Sequence, residues 1–183
     1  MFEHVNEASS ANKDTHTHRG YKKAYEYAIN KIRTDETYFE HINSIDLFAR
    51  KCQWADFRND INPEYLEKNY TNSCMDALEF AETFTTNSID LILFDPPFSD
   101  RQSNEKYGTS NLYTNPAYIS QIGAEMFRIL RPGGFIVKAG YNSNPPSPTM
   151  RLSRVILSRY HGCRNDVIFT VWQKVDMSLY EFS

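Results

Sequence analysis

The stretch that most constrains this chain is the apolar run Ile89-Asp90-Leu91-Ile92-Leu93-Phe94, followed directly by Asp95-Pro96-Pro97-Phe98. A short run this rich in branched and aromatic residues predicts a strand buried on both faces, as in a parallel sheet. The two prolines end it, because proline brings no N–H to a sheet ladder. The strand end is then a rigid, water-poor rim carrying one carboxylate acceptor, Asp95, and one flat apolar plate, Phe98. A rim of that kind suits a planar base held by an exocyclic amino group.

Strand and helix signals alternate around this run. Tyr21, Ala24, Tyr25, Ala28, Ile29 and Ile32 recur at helical spacing and predict a helix against the sheet, its aromatic stripe in the core. Strands are expected over residues 44–49, 57–61, 70–75, 135–139 and 166–175. Asn62-Pro63 and Asn115-Pro116 read as an N-cap with proline at the first helical position, opening helices to about residues 69 and 130. Asp76 caps a further helix to about residue 84, and Arg131-Pro132-Gly133-Gly134 stops the helix before it. Residues 99–114 and 142–149 read as loops, and residues 150–160 as an amphipathic helix with a strand as the alternative. Residues 1–20 are polar and aperiodic and read as a disordered tail, His16 and His18 included. The expected architecture is α/β: one Rossmann-like domain over residues 21–183, a mostly parallel sheet with helices on both faces.

With 183 residues, 40% hydrophobic and 14% aromatic, the chain can bury a core and is not composed like a disordered one. Three scattered cysteines, Cys52, Cys74 and Cys163, give no Cys-x-x-Cys pair, so no zinc site and no disulfide framework are suggested. That fits a reducing, cytoplasmic setting, and no apolar stretch is long enough to span a membrane. The net charge of -3 is uneven: residues 1–99 hold 10 basic and 17 acidic side chains (-7), residues 100–183 hold 10 and 6 (+4). A net acidic chain is a poor general binder of nucleic acid, although its basic half can form one phosphate-facing surface, against ordinary solvated faces as the plain alternative.

Asp95-Pro96-Pro97-Phe98 after a buried strand resembles the Asp/Asn-Pro-Pro-aromatic signature of the class I S-adenosylmethionine-dependent amino-methyltransferases, which methylate adenine N6, cytosine N4 or guanine N2. The resemblance covers roughly residues 44–175. It implies the cofactor S-adenosyl-L-methionine and residue roles along the strand ends. Asp46, Phe48 and Ala49 match the start of the first cofactor motif. Asp60 corresponds to the acid that accepts from both ribose hydroxyls, and Ile61 to the apolar side chain on adenine. Asp76 and Ala77 fall where the adenine amino group is read, and Asp95, Pro96, Pro97 and Phe98 face the methyl donor as the catalytic set. No metal is implied. The first motif departs from the family. Arg50-Lys51-Cys52-Gln53-Trp54 holds no glycine, and Asp60 follows Asp46 by only 14 positions (60 − 46), so the usual crossover helix is shortened or missing. The methionine end of the cofactor must be held by other groups, with Arg50 and the N-terminal helix as candidates.

The resemblance implies methyl transfer to the exocyclic amine of a nucleobase, adenine N6 in DNA foremost, with the base flipped out of its stack. Arg101, Lys106, Tyr107, Tyr113, Lys138 and Arg151 lie on or near the flanking loops and suit phosphate contact and stacking, against an ordinary surface loop as the alternative. The resemblance leaves no room for a separate target-recognition domain, so the chain is expected to be weakly specific, specific for a short motif through these loops, or dependent on a protein partner or a second copy. Two other readings stand beside this one: an RNA methyltransferase acting on adenine N6 or guanine N2, and a non-catalytic module of the same fold, which the missing glycines favour.

Overall fold

The computed structural model describes residues 1–7, 14–34, 41–107, 112–160 and 166–175. Among these residues seven strands form one sheet: β1 Phe2–Glu7, β2 Ser44–Asp46, β3 Phe57–Arg58, β4 Ile89–Phe94, β5 Leu130–Gly140, β6 Met150–Tyr160 and β7 Val167–Lys174. Their spatial order is β1-β6-β7-β5-β4-β2-β3. Only β7 runs against its neighbours, β5 and β6; the other pairs are parallel. The helices are α1 Arg19–Thr34, α2 Pro63–Glu67, α3 Ala77–Glu82, α4 Asp100–Tyr107 and α5 Pro116–Ile129. This is the expected Rossmann-like α/β architecture.

β4 is buried along its whole length because it faces apolar layers on both sides. Leu91 and Leu93 point to the layer under α1, built with Tyr21, Ala24, Ala28 and Ile32 at helical spacing. Ile92 and Phe94 point to the opposite layer, formed with Phe80 of α3 and Ile122 and Met126 of α5. The caps act as expected: Asn62, Asp76 and Asn115 each accept from the backbone N–H two residues on. Arg131-Pro132-Gly133-Gly134 acts as a bulge as well as a stop. Ile89 pairs with Leu130 and Leu91 with Phe135, so residues 131–134 loop out opposite Asp90, whose buried carboxylate receives the Arg131 guanidinium.

Four expectations are corrected. Residues 1–20 do not form a tail throughout: β1 pairs in parallel with β6 at the sheet edge, and a 3-10 turn at Thr15–Thr17 leads into α1. His18 is buried with its ring edge-on to Phe169, and His16 packs against Trp54. Residues 150–160 form a strand, because β1 and β7 offer ladder partners on both of its edges and outweigh the helical spacing of Leu152, Val155 and Ile156. Residues 70–75 form no strand beyond a single bridge from Ser73 to Asn59. Side chains replace the ladder there. Asn59 Nδ2 donates to the Met75 carbonyl at 3.0 Å, Met75 N–H donates back to Asn59 Oδ1 at 3.1 Å, and Arg58 Nε donates to the Tyr70 carbonyl at 2.9 Å. Lastly, the loop expected over residues 99–114 begins with α4, eight residues free of glycine and proline and rich in straight-chain helix formers.

Candidate functional site

The chain runs outward from β2 to β3, then returns to β4 and proceeds the other way to β5. The strand order therefore reverses between β2 and β4, and the crevice beyond their carboxyl ends is where an open α/β sheet binds ligands. Asp46 closes β2 and Asp95 follows β4, so the two acids stand on adjacent strand ends across this switch point. The crossover helix is absent. Residues 47–56 connect β2 to β3 through turns, with Ala49 N–H donating to the Asn59 carbonyl at 2.8 Å and Arg50 in the left-handed region at φ 49°.

Asp46 is 2% exposed, and its Oδ1 accepts from Phe48 N–H at 3.1 Å. Burial pushes its carboxyl well above the usual carboxylate range; the Phe48 hydrogen bond opposes this, and the negative charges of Asp95 and Asp60 add to it. Asp60 is also buried, its Oδ1 accepting from Asn62 N–H at 2.9 Å. Ile61 follows, half-buried, its carbonyl accepting from the Cys74 thiol. The charges of Asp60 and Asp95, each following its own strand, thus both reach Asp46 at the end of β2.

Asp46, Phe48, Ala49 and Asp95 line a small cavity together with Arg50, Cys52, Tyr21 from α1, and Asp14, Thr15 and His16 from the segment before it. The segment around the Thr15–Thr17 turn, which the sequence places in a tail, lies against the glycine-free loop. Arg50 Nη2 is fixed 3.0 Å from Asp14 Oδ1. Burial and the Asp46 charge push the Cys52 thiol up, so it is an inert wall rather than a nucleophile.

The other expected residues gather around a tyrosine that sequence reasoning placed on a phosphate-facing loop. Tyr113 is 2% exposed, sits edge-on to Phe48 with centroids 5.1 Å apart, and donates to Asp76 Oδ2 at 2.8 Å. Ala77 N–H lies against the same hydroxyl. Asp76 Oδ1 accepts from Leu78 N–H at 2.8 Å and from the Tyr118 hydroxyl. Burial and the Asp76 bond hold both phenols above their usual range. Phe48, Asp76 and Ala77 are thus brought together through Tyr113, whose burial removes it from any stacking surface.

At the rim, Phe98 meets Tyr141, the residue after β5, with centroids 4.9 Å apart and ring planes 57° to each other. Tyr141 is 43% exposed. Among the cations expected to meet phosphate, Arg101 stands exposed on α4, whereas Lys138 Nζ donates to Asn142 Oδ1 at 3.0 Å and to the Asn144 carbonyl at 2.8 Å, bracing its own loop. Arg151 donates to Gln173 on β7. The side chains of Lys106 and Tyr107 lie outside the described residues. Sequence reasoning missed Tyr141, which an aromatic directly after β5, the neighbour of β4, could have signalled; nothing in the sequence marked Tyr113 or Tyr118 as partners of Asp76.

No family model and no curated protein sequence matches the chain. Solved structures do. The putative methyltransferase yhhF from Escherichia coli aligns at 13% identity over 92% of this chain and 91% of its own, with a TM-score of 0.55. The N-methyltransferase NodS from Bradyrhizobium japonicum, solved with S-adenosyl-L-homocysteine, aligns at 9% identity over 90% of each chain, with a TM-score of 0.57. An rRNA methylase from Streptococcus thermophilus aligns at 9% identity over 87% of this chain and 98% of its own, with a TM-score of 0.51. These likenesses show that the chain has the Rossmann-like class I methyltransferase fold. No helix among the described residues is long and apolar enough to cross a membrane.

Proposed function

We propose that this protein is an S-adenosylmethionine-dependent methyltransferase acting on the exocyclic amine of a nucleobase, adenine N6 in DNA first. The observation that carries the reading is the placement of Asp95-Pro96-Pro97-Phe98: it leaves the fully buried β4 at the switch point, one strand from Asp46, with an aromatic pair at its rim. The crevice also fits the cofactor. Its buried carboxylates suit hydroxyl and ammonium donors, and a buried phenol oxygen in the adjoining cavity, that of Tyr21, has no hydrogen-bond partner among the described residues. Asp60 would hold the ribose and Phe48, Ile61, Asp76 and Ala77 the adenine side.

Bound S-adenosylmethionine supplies an electrophilic methyl group on a sulfonium. The chain's own residues prepare the nucleophile. An exocyclic amine is weak because its lone pair is delocalised into the ring. The Asp95 carboxylate and the Pro96 carbonyl accept from its two protons, favouring a pyramidal nitrogen with the lone pair aimed at the methyl. The Asp95 carboxylate would stabilise the positive charge that develops on that nitrogen more in the transition state than in the ground state, and would be placed to take the proton the methylated amine must lose. Phe98, with Tyr141 packed against it, offers a ring to the flipped base, and stacking contributes about 1–3 kcal/mol. The prolines hold the acceptors in place, and positioning supplies much of the remaining rate. Specificity rests on the rim loops or on a protein partner, a second copy included.

RNA is the second target reading, supported by the likeness to an rRNA methylase. The non-catalytic reading draws on the glycine-free loop and on Tyr113 at Asp76. Calorimetry with a transfer assay separates the non-catalytic reading from the first proposal, and nucleoside analysis separates DNA from RNA. Wild type should bind S-adenosylhomocysteine in the micromolar range and Asp60→Ala should lose that binding. Asp95→Ala should lose turnover far more than affinity. Near-normal transfer by Asp95→Ala would remove its catalytic role, turnover without Asp60-dependent binding would remove the role of Asp60, and absence of S-adenosylhomocysteine binding would remove the cofactor assignment.

A further inference from the structure

Lys138 pairs in β5 with Phe94, the residue before Asp95, and so stands next to the strand that carries Asp95-Pro96-Pro97-Phe98. Burial holds its ammonium below the usual lysine range. Methionine would fill a similar space without that desolvation. What the ammonium adds is two bonds into one short turn: Nζ donates to Asn142 Oδ1 at 3.0 Å and to the Asn144 carbonyl at 2.8 Å. Asn144 N–H closes the same turn by donating to Asn142 Oδ1 at 3.1 Å. Residues 142–144 are thus knitted around one charge. Two residues on, the Pro146 carbonyl is pressed against Gly123 of α5, with no room for a Cβ between them. The loop is therefore fastened both from the sheet and from the helix.

Tyr141 lies between β5 and this turn. It is exposed, and its ring packs on Phe98 with centroids 4.9 Å apart. An exposed tyrosine beside a loose loop would sample several rotamers. One whose next residue is tied back to its own strand is held to fewer. We infer that Lys138 is a positioning residue for the base-holding rim: through Asn142 it fixes Tyr141, and through Tyr141 the ring of Phe98. This role rests on the reading of Phe98 as the ring offered to a flipped base, and it adds the residue outside that motif which sets the ring's orientation. Lys138 itself touches neither the base nor the methyl donor. Stacking on a held ring acts alike in the ground state and the transition state. Its loss should therefore raise KM for nucleic acid and leave kcat nearly unchanged.

The test compares wild type with Lys138→Met, Asn142→Ala, Tyr141→Ala and the double variant Lys138→Met/Tyr141→Ala. Amide hydrogen exchange is followed without ligand, and methyl transfer from S-adenosylmethionine is followed on DNA and on RNA. Asn142→Ala removes the acceptor without touching the sheet, so it carries the test if Lys138→Met does not fold. Exchange over residues 142–149 should quicken at least about tenfold in Lys138→Met and in Asn142→Ala. KM for the polymer that wild type methylates should rise about tenfold in each single variant, with kcat within about twofold. The double variant should be no worse than Tyr141→Ala alone. Unchanged exchange would overturn the tie between Lys138 and the loop. Faster exchange with KM unchanged, or losses that multiply in the double variant, would overturn the positioning role and leave the role of Phe98 standing. No transfer by wild type to either polymer would overturn the base-holding reading and the positioning role with it.

Discussion

The Tyr113 hydroxyl donates to Asp76 Oδ2 at 2.8 Å, while Tyr118 and Leu78 N–H share Oδ1. One helix-capping carboxylate therefore organises the segment after α4, the start of α3 and the first turn of α5. Asp76→Ala should destabilise the fold by about 2–4 kcal/mol, combining a lost cap with two phenols left without their acceptor. Tyr113→Phe should cost about 1–2 kcal/mol. Urea denaturation of the two variants gives both numbers. Because Tyr113 occupies the acceptor assigned to the adenine amino group, Tyr113→Phe should also bind S-adenosylhomocysteine more tightly. Weaker binding would make Tyr113 a wall of the pocket rather than a competitor for it.

Asp46 gives a stability change with a defined pH dependence. Burial, with Asp95 and Asp60 nearby, raises its pKa in the folded protein. Between the unfolded carboxylate value of about 4 and the raised folded value, the folded chain keeps a proton that the unfolded chain has lost. Wild-type stability therefore falls as pH rises through that window. Asp46→Asn removes the charge and should raise the melting temperature at neutral pH, with the gain vanishing as pH drops below about 4. A gain that persists at low pH would point to packing rather than charge.

Gly123 in α5 is pressed against the loop that borders Tyr141: a Cβ there would come within 2.2 Å of the Pro146 carbonyl oxygen. Alanine is the better helix former by about 1 kcal/mol, so propensity alone favours the substitution. The clash with backbone should outweigh it, and Gly123→Ala should lose about 1–3 kcal/mol and shift the loop of residues 142–149. Thermal unfolding checks the sign, and amide hydrogen exchange over residues 141–149 reports the loop.

Much of the frame was legible in the sequence because it rests on local rules. β4 announced itself as an uninterrupted apolar run with prolines behind it, and Asn62, Asp76 and Asn115 announced three helix starts through cap chemistry. The misreadings at β1 and β6 share one cause: partners distant in sequence. β6 is a strand because β1, some 150 residues earlier, pairs with it (Phe2 with Val155), and neither strand explains itself without the other. The bridge at Ser73 replaces a strand because Asn59 and Arg58 satisfy its backbone from the side. The site shows the same division. Its acids were placed by strand ends, which sequence reveals. Tyr113 at Asp76 and Tyr21 at Asp46 were not, since an aromatic at helical or loop spacing reads as core or surface until the fold brings an acid to face it.

The reading is tested most directly by nucleoside analysis. DNA and RNA, each incubated with S-adenosylmethionine and either wild type or Asp95→Ala, would be digested to nucleosides and analysed by mass spectrometry. N6-methyladenine in DNA, made by wild type and absent with Asp95→Ala, is the expected result. Methylated adenine or guanine in RNA alone would move the target to RNA and keep the chemistry. No methylated nucleoside from either polymer, or equal yields from the two proteins, would contradict the assignment of Asp95-Pro96-Pro97-Phe98 as the centre that prepares a base amine for methyl transfer.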